Sequence, residues 1–300
     1  MMNRIDEAEK LLAKLKNMTQ SEGGAIASWG YNFPWQARAF YVPIGTPNMV
    51  TTVYVANAFL DHFDATGDQD SLELARNSCE FILKKLVLFE NRESICFGYI
   101  PGEGARVHNA NMLGAALLAR VYAHLKEAEL LEKSRKAMKY SLKALTPDYL
   151  WPYGELSHHQ FIDNFHTGFN LVALKTWIDC TGEQAWKGKL EKAFEKYLNL
   201  FWLKNGCPKY YHDKLYPIDI HCSAQGIVTF LKLAEHHPES HEMAGNIATW
   251  AVKNMQNETG YFYYQKTRLY TNKIEYIRWS QAWMFYALSM YLTNGDIDEK

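Results

Sequence analysis

Two kinds of helix-forming segment alternate along this chain, and that alternation limits its possible folds more than any other feature. Long apolar segments begin near Thr46, His108, Phe161, Ile218 and Glu275. Each of the first four is followed by a more charged one, near Asp68–Leu86, Lys126–Leu145, Glu183–Leu203 and Glu239–Met255. The first kind, as in NMLGAALLARVYAHL, is apolar nearly all round and demands burial on most sides. The second, as in EKAFEKYLNLFW, confines its apolar residues to one face and keeps Lys and Glu in water. A ring of buried helices inside a ring of amphipathic ones satisfies both patterns. The reading is therefore all-α: an α/α toroid of about five to six helical hairpins, one every ~55 residues.

Punctuation between the segments agrees with this phase. Thr66-Gly67-Asp68, Thr181-Gly182-Glu183 and Thr293-Asn294-Gly295-Asp296 each follow a long apolar helix, where Gly or Asn can take the left-handed position past the end. CFGYIPGEG, WPYGEL, GCPKYYHDKLYP and GYFYYQKTRLY read as loops or short β-hairpins between repeats. No Ser/Gly-rich or Pro-rich linker breaks the series, so residues 1–300 read as one toroid domain.

Bulk properties narrow the partners. A net charge of −1 without a basic run gives no reason to expect nucleic acid. No apolar run approaches the ~18–20 residues of a membrane span. The N-terminal MMNRIDEAEKLLAKLKNM is a charged amphipathic helix without a signal region, so the expected location is cytoplasmic. Cys79, Cys96, Cys180, Cys207 and Cys222 are scattered without CxxC spacing and read as reduced thiols. No two histidines stand at i,i+4 on one helix, so neither a metal nor another cofactor is expected. The chain has 19 Tyr and 9 Trp, many beside polar residues. Such side chains join a flat apolar face to a hydrogen-bonding edge, which suits an oligosaccharide or polysaccharide substrate.

The repeat also locates a site. The starts of the apolar helices are unusually polar and aromatic: Tyr31-Asn32-Phe33-Pro34-Trp35-Gln36-Ala37-Arg38, Val107-His108-Asn109-Ala110-Asn111, Phe161-Ile162-Asp163-Asn164-Phe165-His166, Pro217-Ile218-Asp219-Ile220-His221 and Glu275-Tyr276-Ile277-Arg278-Trp279. In a toroid these positions gather at one end of the central funnel, where helix N-termini add backbone donors. Individually they have simpler roles, since Asp163, Asn109 and Asp219 sit where N-caps belong. Together they suit glycoside chemistry. A hydrolase needs one group to protonate the leaving oxygen and usually a second carboxylate. Asp163, Asp219 and Glu155 are the available carboxylates, with His166 and His221 placed to relay protons. A lyase or C5-epimerase acting on a uronate would instead use His108, Asn109, Tyr153, His166 and Arg278. Trp35, Arg38, Asn111, Gln225 and Trp279 complete the set expected to hold substrate.

Phe161-Ile162-Asp163-Asn164, continuing through Leu171 and Trp177 to Thr181-Gly182-Glu183, resembles a stretch of the unsaturated glucuronyl and rhamnogalacturonyl hydrolases, six-hairpin toroids. The resemblance implies that Asp163 is the catalytic aspartate and acts as general acid. Arg278-Trp279-Ser280-Gln281-Ala282-Trp283 is similar to that family's Arg-Gly-Gln-Ala-Trp helix start, which implies that Arg278 holds a uronate carboxylate. Where the family has a second aspartate one hairpin earlier, this chain reads His108-Asn109-Ala110-Asn111. The chain also resembles toroidal proteins of bacterial surface-polysaccharide loci. The expectation is a glycan-processing enzyme, a hydrolase first and a lyase or C5-epimerase second. A non-catalytic glycan-binding or scaffold protein is the reading from another class.

Overall fold

The computed structural model describes residues 5–37 and 40–295. Helix α1 (Ile5–Asn17) opens the chain, and four helical hairpins follow: α2 (Met49–Thr66) with α3 (Gln69–Lys85), α4 (His108–Leu125) with α5 (Ala128–Leu142), α6 (Asn164–Thr181) with α7 (Lys187–Phe201), and α8 (Ile220–Lys232) with α9 (Ser240–Met255). A last apolar helix, α10 (Trp283–Gly295), completes the described residues. The two helix types behave as their patterns require. In α4 every residue from His108 to Ala119 is buried, whereas α7 buries only the stripe Leu190, Ala193, Phe194, Tyr197 and Phe201. Local signals set the ends. Asn48 caps α2 by accepting the Thr51 N–H at 2.9 Å. Gly67 stops the same helix at φ 76°, a conformation costly for residues with a Cβ, and its N–H reaches the Phe63 carbonyl.

The strands are short and antiparallel. β1 (Gln20–Glu22) pairs with β2 (Ile26–Ser28), β3 (Trp35–Gln36) with β4 (Tyr41–Val42), and β5 (Val87–Glu90) with β6 (Ile95–Phe97). β7 (Ile218–Asp219), β8 (Gln265–Lys266) and β9 (Thr271–Asn272) form a three-stranded sheet in that order. The WPYGEL and GCPKYYHDKLYP stretches make isolated bridges such as Val107 with Gly154 and Asp163 with Tyr211. The last apolar helix starts differently from the others. Before α10 the chain forms a π-helical turn over Ile277–Ala282, with the Gln281 N–H bonded to the Tyr276 carbonyl at 3.2 Å.

Two compact units are present. The first comprises residues 1–144, 154–159 and 179–182; the second comprises 145–153, 160–178 and 183–300. In the first, Ala27, Trp29, Val55 and Phe59 form a core covered by Leu12 and Leu15 of α1 and by Leu74 of α3. In the second, Phe194, Tyr197, Trp202 and Phe230 pack with ring centroids 5.5–5.8 Å apart between α7, its C-terminus and α8. Gly226 makes that approach possible, because a Cβ there would lie 2.2 Å from the Trp202 ring. Among the described residues, no helix is long and apolar enough to cross a membrane.

Candidate active site

In the second unit the starts of α6 and α8 and the π-helical turn bring their polar and aromatic residues together. Asp163 precedes α6. Its Oδ1 accepts the His166 N–H at 3.0 Å and its Oδ2 lies 2.8 Å from His166 Nδ1. One carboxylate therefore caps the helix and fixes the imidazole one turn inside it. The Asp163 side chain is fully shielded, while that of His166 is 20% exposed. Among the described residues, His166 Nε2 has no hydrogen-bond partner. Aromatic rings border the imidazole: Tyr153 at 4.6 Å and Phe165 at 4.2 Å between centroids. Tyr153 is itself stacked on Phe161 at 4.9 Å and 12°.

Asp219 performs the corresponding capping at α8, with Oδ1 accepting the His221 N–H at 2.9 Å. The same Oδ1 accepts the Trp279 indole N–H at 3.0 Å, and Oδ2 accepts from Gln265 Nε2 at 3.2 Å. His221 returns the connection, its Nδ1–H donating to the Trp279 carbonyl at 3.3 Å while the two rings stack at 4.3 Å and 20°. Phe165 stands edge-on to both rings, 4.9 Å from His221 and 5.5 Å from Trp279. The π-helical turn thus delivers both Trp279 and Arg278, whose guanidinium lies 5.7 Å from the Trp279 ring. Such widened turns are frequent at functional sites.

Burial sets the protonation states. Desolvation pushes the Asp219 carboxyl up to about 6, against its hydrogen bonds from His221, Trp279 and Gln265. Desolvation pushes His221 down to about 3, with His166 and Arg278 adding to the fall, so this ring is neutral through the physiological range. A carboxyl raised in the folded state contributes stability below its unfolded value near 4, and this contribution is lost as pH rises through 6. Asp219→Asn keeps an acceptor for Trp279 and cannot ionise. Relative to wild type it should therefore gain roughly 3 kcal/mol between pH 4 and pH 7. Urea unfolding of both proteins across that range measures the difference, and parallel pH curves would contradict the assignment.

The other expected residues divide between the units. Gln225, in α8, is turned into helix packing, with Nε2 donating to Thr229 Oγ1 at 3.1 Å and its Cγ against Gly168. In the first unit, Glu155 accepts from the Tyr140 hydroxyl and from Arg106 Nη1, the latter at 3.3 Å. His108 is buried beside Ser141 Oγ at 3.3 Å, and desolvation lowers it to about 4 against the opposing effect of Glu155. Asn111 is consumed structurally: it accepts from Phe97 N and donates to the Ala137 carbonyl and to Ser141 Oγ. Asn109 corrects an expectation. It is no N-cap, because α4 begins at His108 after Val107, and its buried Oδ1 has no partner among the described residues. Trp35 is half-buried in β3, and Arg38 lies outside the described residues. Reading the sequence did not single out Gln265 or Tyr140. Gln265 is 46 residues from Asp219, and nothing local signals that bond.

No protein-family model matches the chain, and no curated protein matches it in sequence. Solved structures do share its fold. A sugar epimerase from a ruminal bacterium superposes with a TM-score of 0.70 at 10% identity, over 90% of this chain and 77% of its own. The GH76 α-mannanase of Bacteroides thetaiotaomicron gives 0.70 at 10% identity, over 100% of this chain and 80% of its own. A possible member of the GH105 family from Salmonella enterica gives 0.64 at 13% identity, over 96% and 94%. The chain has the α/α-toroid fold of the six-hairpin glycosidase-like enzymes, as its helix alternation and the Ile-Asp-Asn segment led one to expect.

Proposed function

We propose that this chain is a carbohydrate-processing enzyme that moves a proton on a sugar carbon, an epimerase or isomerase, with His166 as the acid–base group. One observation carries the reading. The Asp163 carboxylate is sealed from solvent and spends both oxygens on His166, leaving the imidazole as the group that can meet a substrate. A carboxylate behind an imidazole holds its orientation and stabilises the imidazolium that forms when the other nitrogen takes a proton. In the proposed step the bond from hydrogen to the carbon beside a sugar carbonyl breaks. The proton goes to His166 Nε2 and the electron pair to the carbonyl oxygen as an enediolate. Return of the proton to the opposite face of the same carbon, after the planar enediolate has turned over, inverts that centre; return to the neighbouring carbon, with the hydroxyl proton of that carbon passing to the former carbonyl oxygen, isomerises the sugar. The Arg278 guanidinium supplies positive charge near that oxygen, or near the carboxylate of a uronic acid, and the aromatic walls suit a sugar face. The shared fold of a sugar epimerase supports the reaction class, and that of the mannanase supports a saccharide substrate.

One feature favours hydrolysis as a second reading. A carboxyl lifted to about 6, as Asp219 is, lies in the range that suits a general acid. Incubation with neutral and uronic mono- and oligosaccharides in D2O separates the two. Proton transfer at carbon should place deuterium on the sugar, seen as loss of a proton signal by NMR. Shorter sugars without carbon-bound deuterium would favour hydrolysis. Saturable sugar binding with neither change would replace both readings by a glycan-binding role.

A further inference from the structure

The first unit holds a cavity in which none of the residues of the acid–base proposal takes part. It opens between the β5–β6 hairpin and the C-terminal end of α5, has a volume of about 320 Å3, and is lined by residues of that unit alone. Sites for small molecules span ~300–1,000 Å3, so this one suits a ligand of one or two rings. Phe89 and Tyr140 give it aromatic surface, their ring centroids 6.3 Å apart at 48°. Arg106 braces both, with its guanidinium 5.3 Å from the Phe89 ring and its Nη1 donating to the Tyr140 hydroxyl at 3.3 Å.

The polar groups of the lining specify the ligand further. Ser94 is only 4% exposed, yet among the described residues its hydroxyl has no hydrogen-bond partner. Its N–H bonds Asn91 Oδ1 at 2.8 Å and its carbonyl accepts the Asn91 N–H at 2.9 Å, so backbone groups hold the turn and the hydroxyl is left to the cavity. A buried hydroxyl is costly unless something in the cavity bonds it. Asn91 spends its Oδ1 on the N–H groups of Glu93 and Ser94, which leaves its NH2 as a donor. Lys143 adds an ammonium, 3.7 Å from Glu93 Oε2. The same cavity holds an acceptor, the Glu155 carboxylate, positioned by Tyr140 and Arg106. An anionic ligand would meet that carboxylate and the negative end of the α5 dipole, and a cationic one would meet Lys143. A neutral ligand rich in hydroxyls can donate to the first and accept from the second, and its CH faces can lie on the rings.

We propose that this cavity binds a neutral saccharide unit, with the Ser94 hydroxyl and the Glu155 carboxylate bonding its hydroxyl groups and Phe89 and Tyr140 lying against its apolar face. The inference is independent of the proposed reaction. Backbone hydrogen exchange of the full chain tests it, with glucose and cellobiose as probes and glucuronate and glucosamine as their charged counterparts. The neutral sugars should slow exchange over residues 87–97. Ser94→Ala removes a hydroxyl that holds nothing among the described residues, so thermal unfolding should be unchanged. The sugar concentration that gives half of the protection over 87–97 should nevertheless rise about three- to tenfold, the loss of one hydrogen bond. Ala144→Trp, at the half-buried edge of the cavity, should fill it and abolish that protection. Absence of protection over 87–97 in the wild type, with or without protection at the starts of α6 and α8, would overturn the proposal. So would tighter binding of glucuronate or glucosamine than of glucose, or a Ser94→Ala variant protected as the wild type is, which would leave the cavity to water.

Discussion

His166→Gln should lower turnover by about two to four orders of magnitude, the usual contribution of a positioned acid–base group, at some cost in stability because the sealed Asp163 Oδ2 loses its imidazole donor. Glutamine retains a polar tip but cannot carry the proton. The backbone N–H of residue 166 still bonds Asp163 Oδ1, so the start of α6 should persist. Asp163→Asn tests the same pair from behind. An amide can go on capping the helix, but its NH2 cannot accept from Nδ1–H and favours the wrong imidazole tautomer. That variant should lose turnover with less effect on KM, because it touches the ring and not the substrate. Steady-state kinetics on a sugar that shows deuterium wash-in, with thermal unfolding as the control, provide the test. Retention of a tenth or more of wild-type turnover in His166→Gln would remove His166 from the chemistry.

The largest structural effect is expected at Phe230. Its ring is fully buried and lies 5.5 Å from Phe194, 5.8 Å from Tyr197 and 5.7 Å from Trp202. Phe230→Ala should destabilise by about 3–5 kcal/mol, combining lost transfer energy with the cavity left among rings that cannot collapse together. The consequence should extend to the site. Tyr197 donates its hydroxyl to Asn164 Oδ1 at 2.9 Å, next to Asp163, so a loosened Tyr197 loosens the start of α6. Urea unfolding should show the loss, and activity should fall at temperatures well below the unfolding midpoint. A loss under about 1 kcal/mol would mean that the neighbours refill the space.

The architecture was largely legible along the chain because its causes are local. A helix apolar all round and a helix apolar on one side require different environments, and the periodicity of α4 and α7 states which is which. Gly67 marks its helix end through a backbone conformation that glycine adopts freely. The polar starts at Asp163 and Asp219 were visible for the same reason, since a cap bonds to residues two or three positions away.

What each carboxylate does was decided only by tertiary packing. Residue types do not tell whether an aspartate faces a substrate or is sealed behind a histidine. Asp163 is shielded, and its partner His166 is presented in its place. Asp219 is held by Gln265 and Trp279, 46 and 60 residues further along, and it is lifted to about 6 by a burial that no neighbouring residue predicts. The His221–Trp279 stack spans 58 residues and depends on the π-helical turn, which helical periodicity does not announce. Helix formation and capping are governed by interactions within a few residues of sequence. Desolvation and ring stacking depend on which distant segments come to enclose a group, and that is settled only when the helices pack.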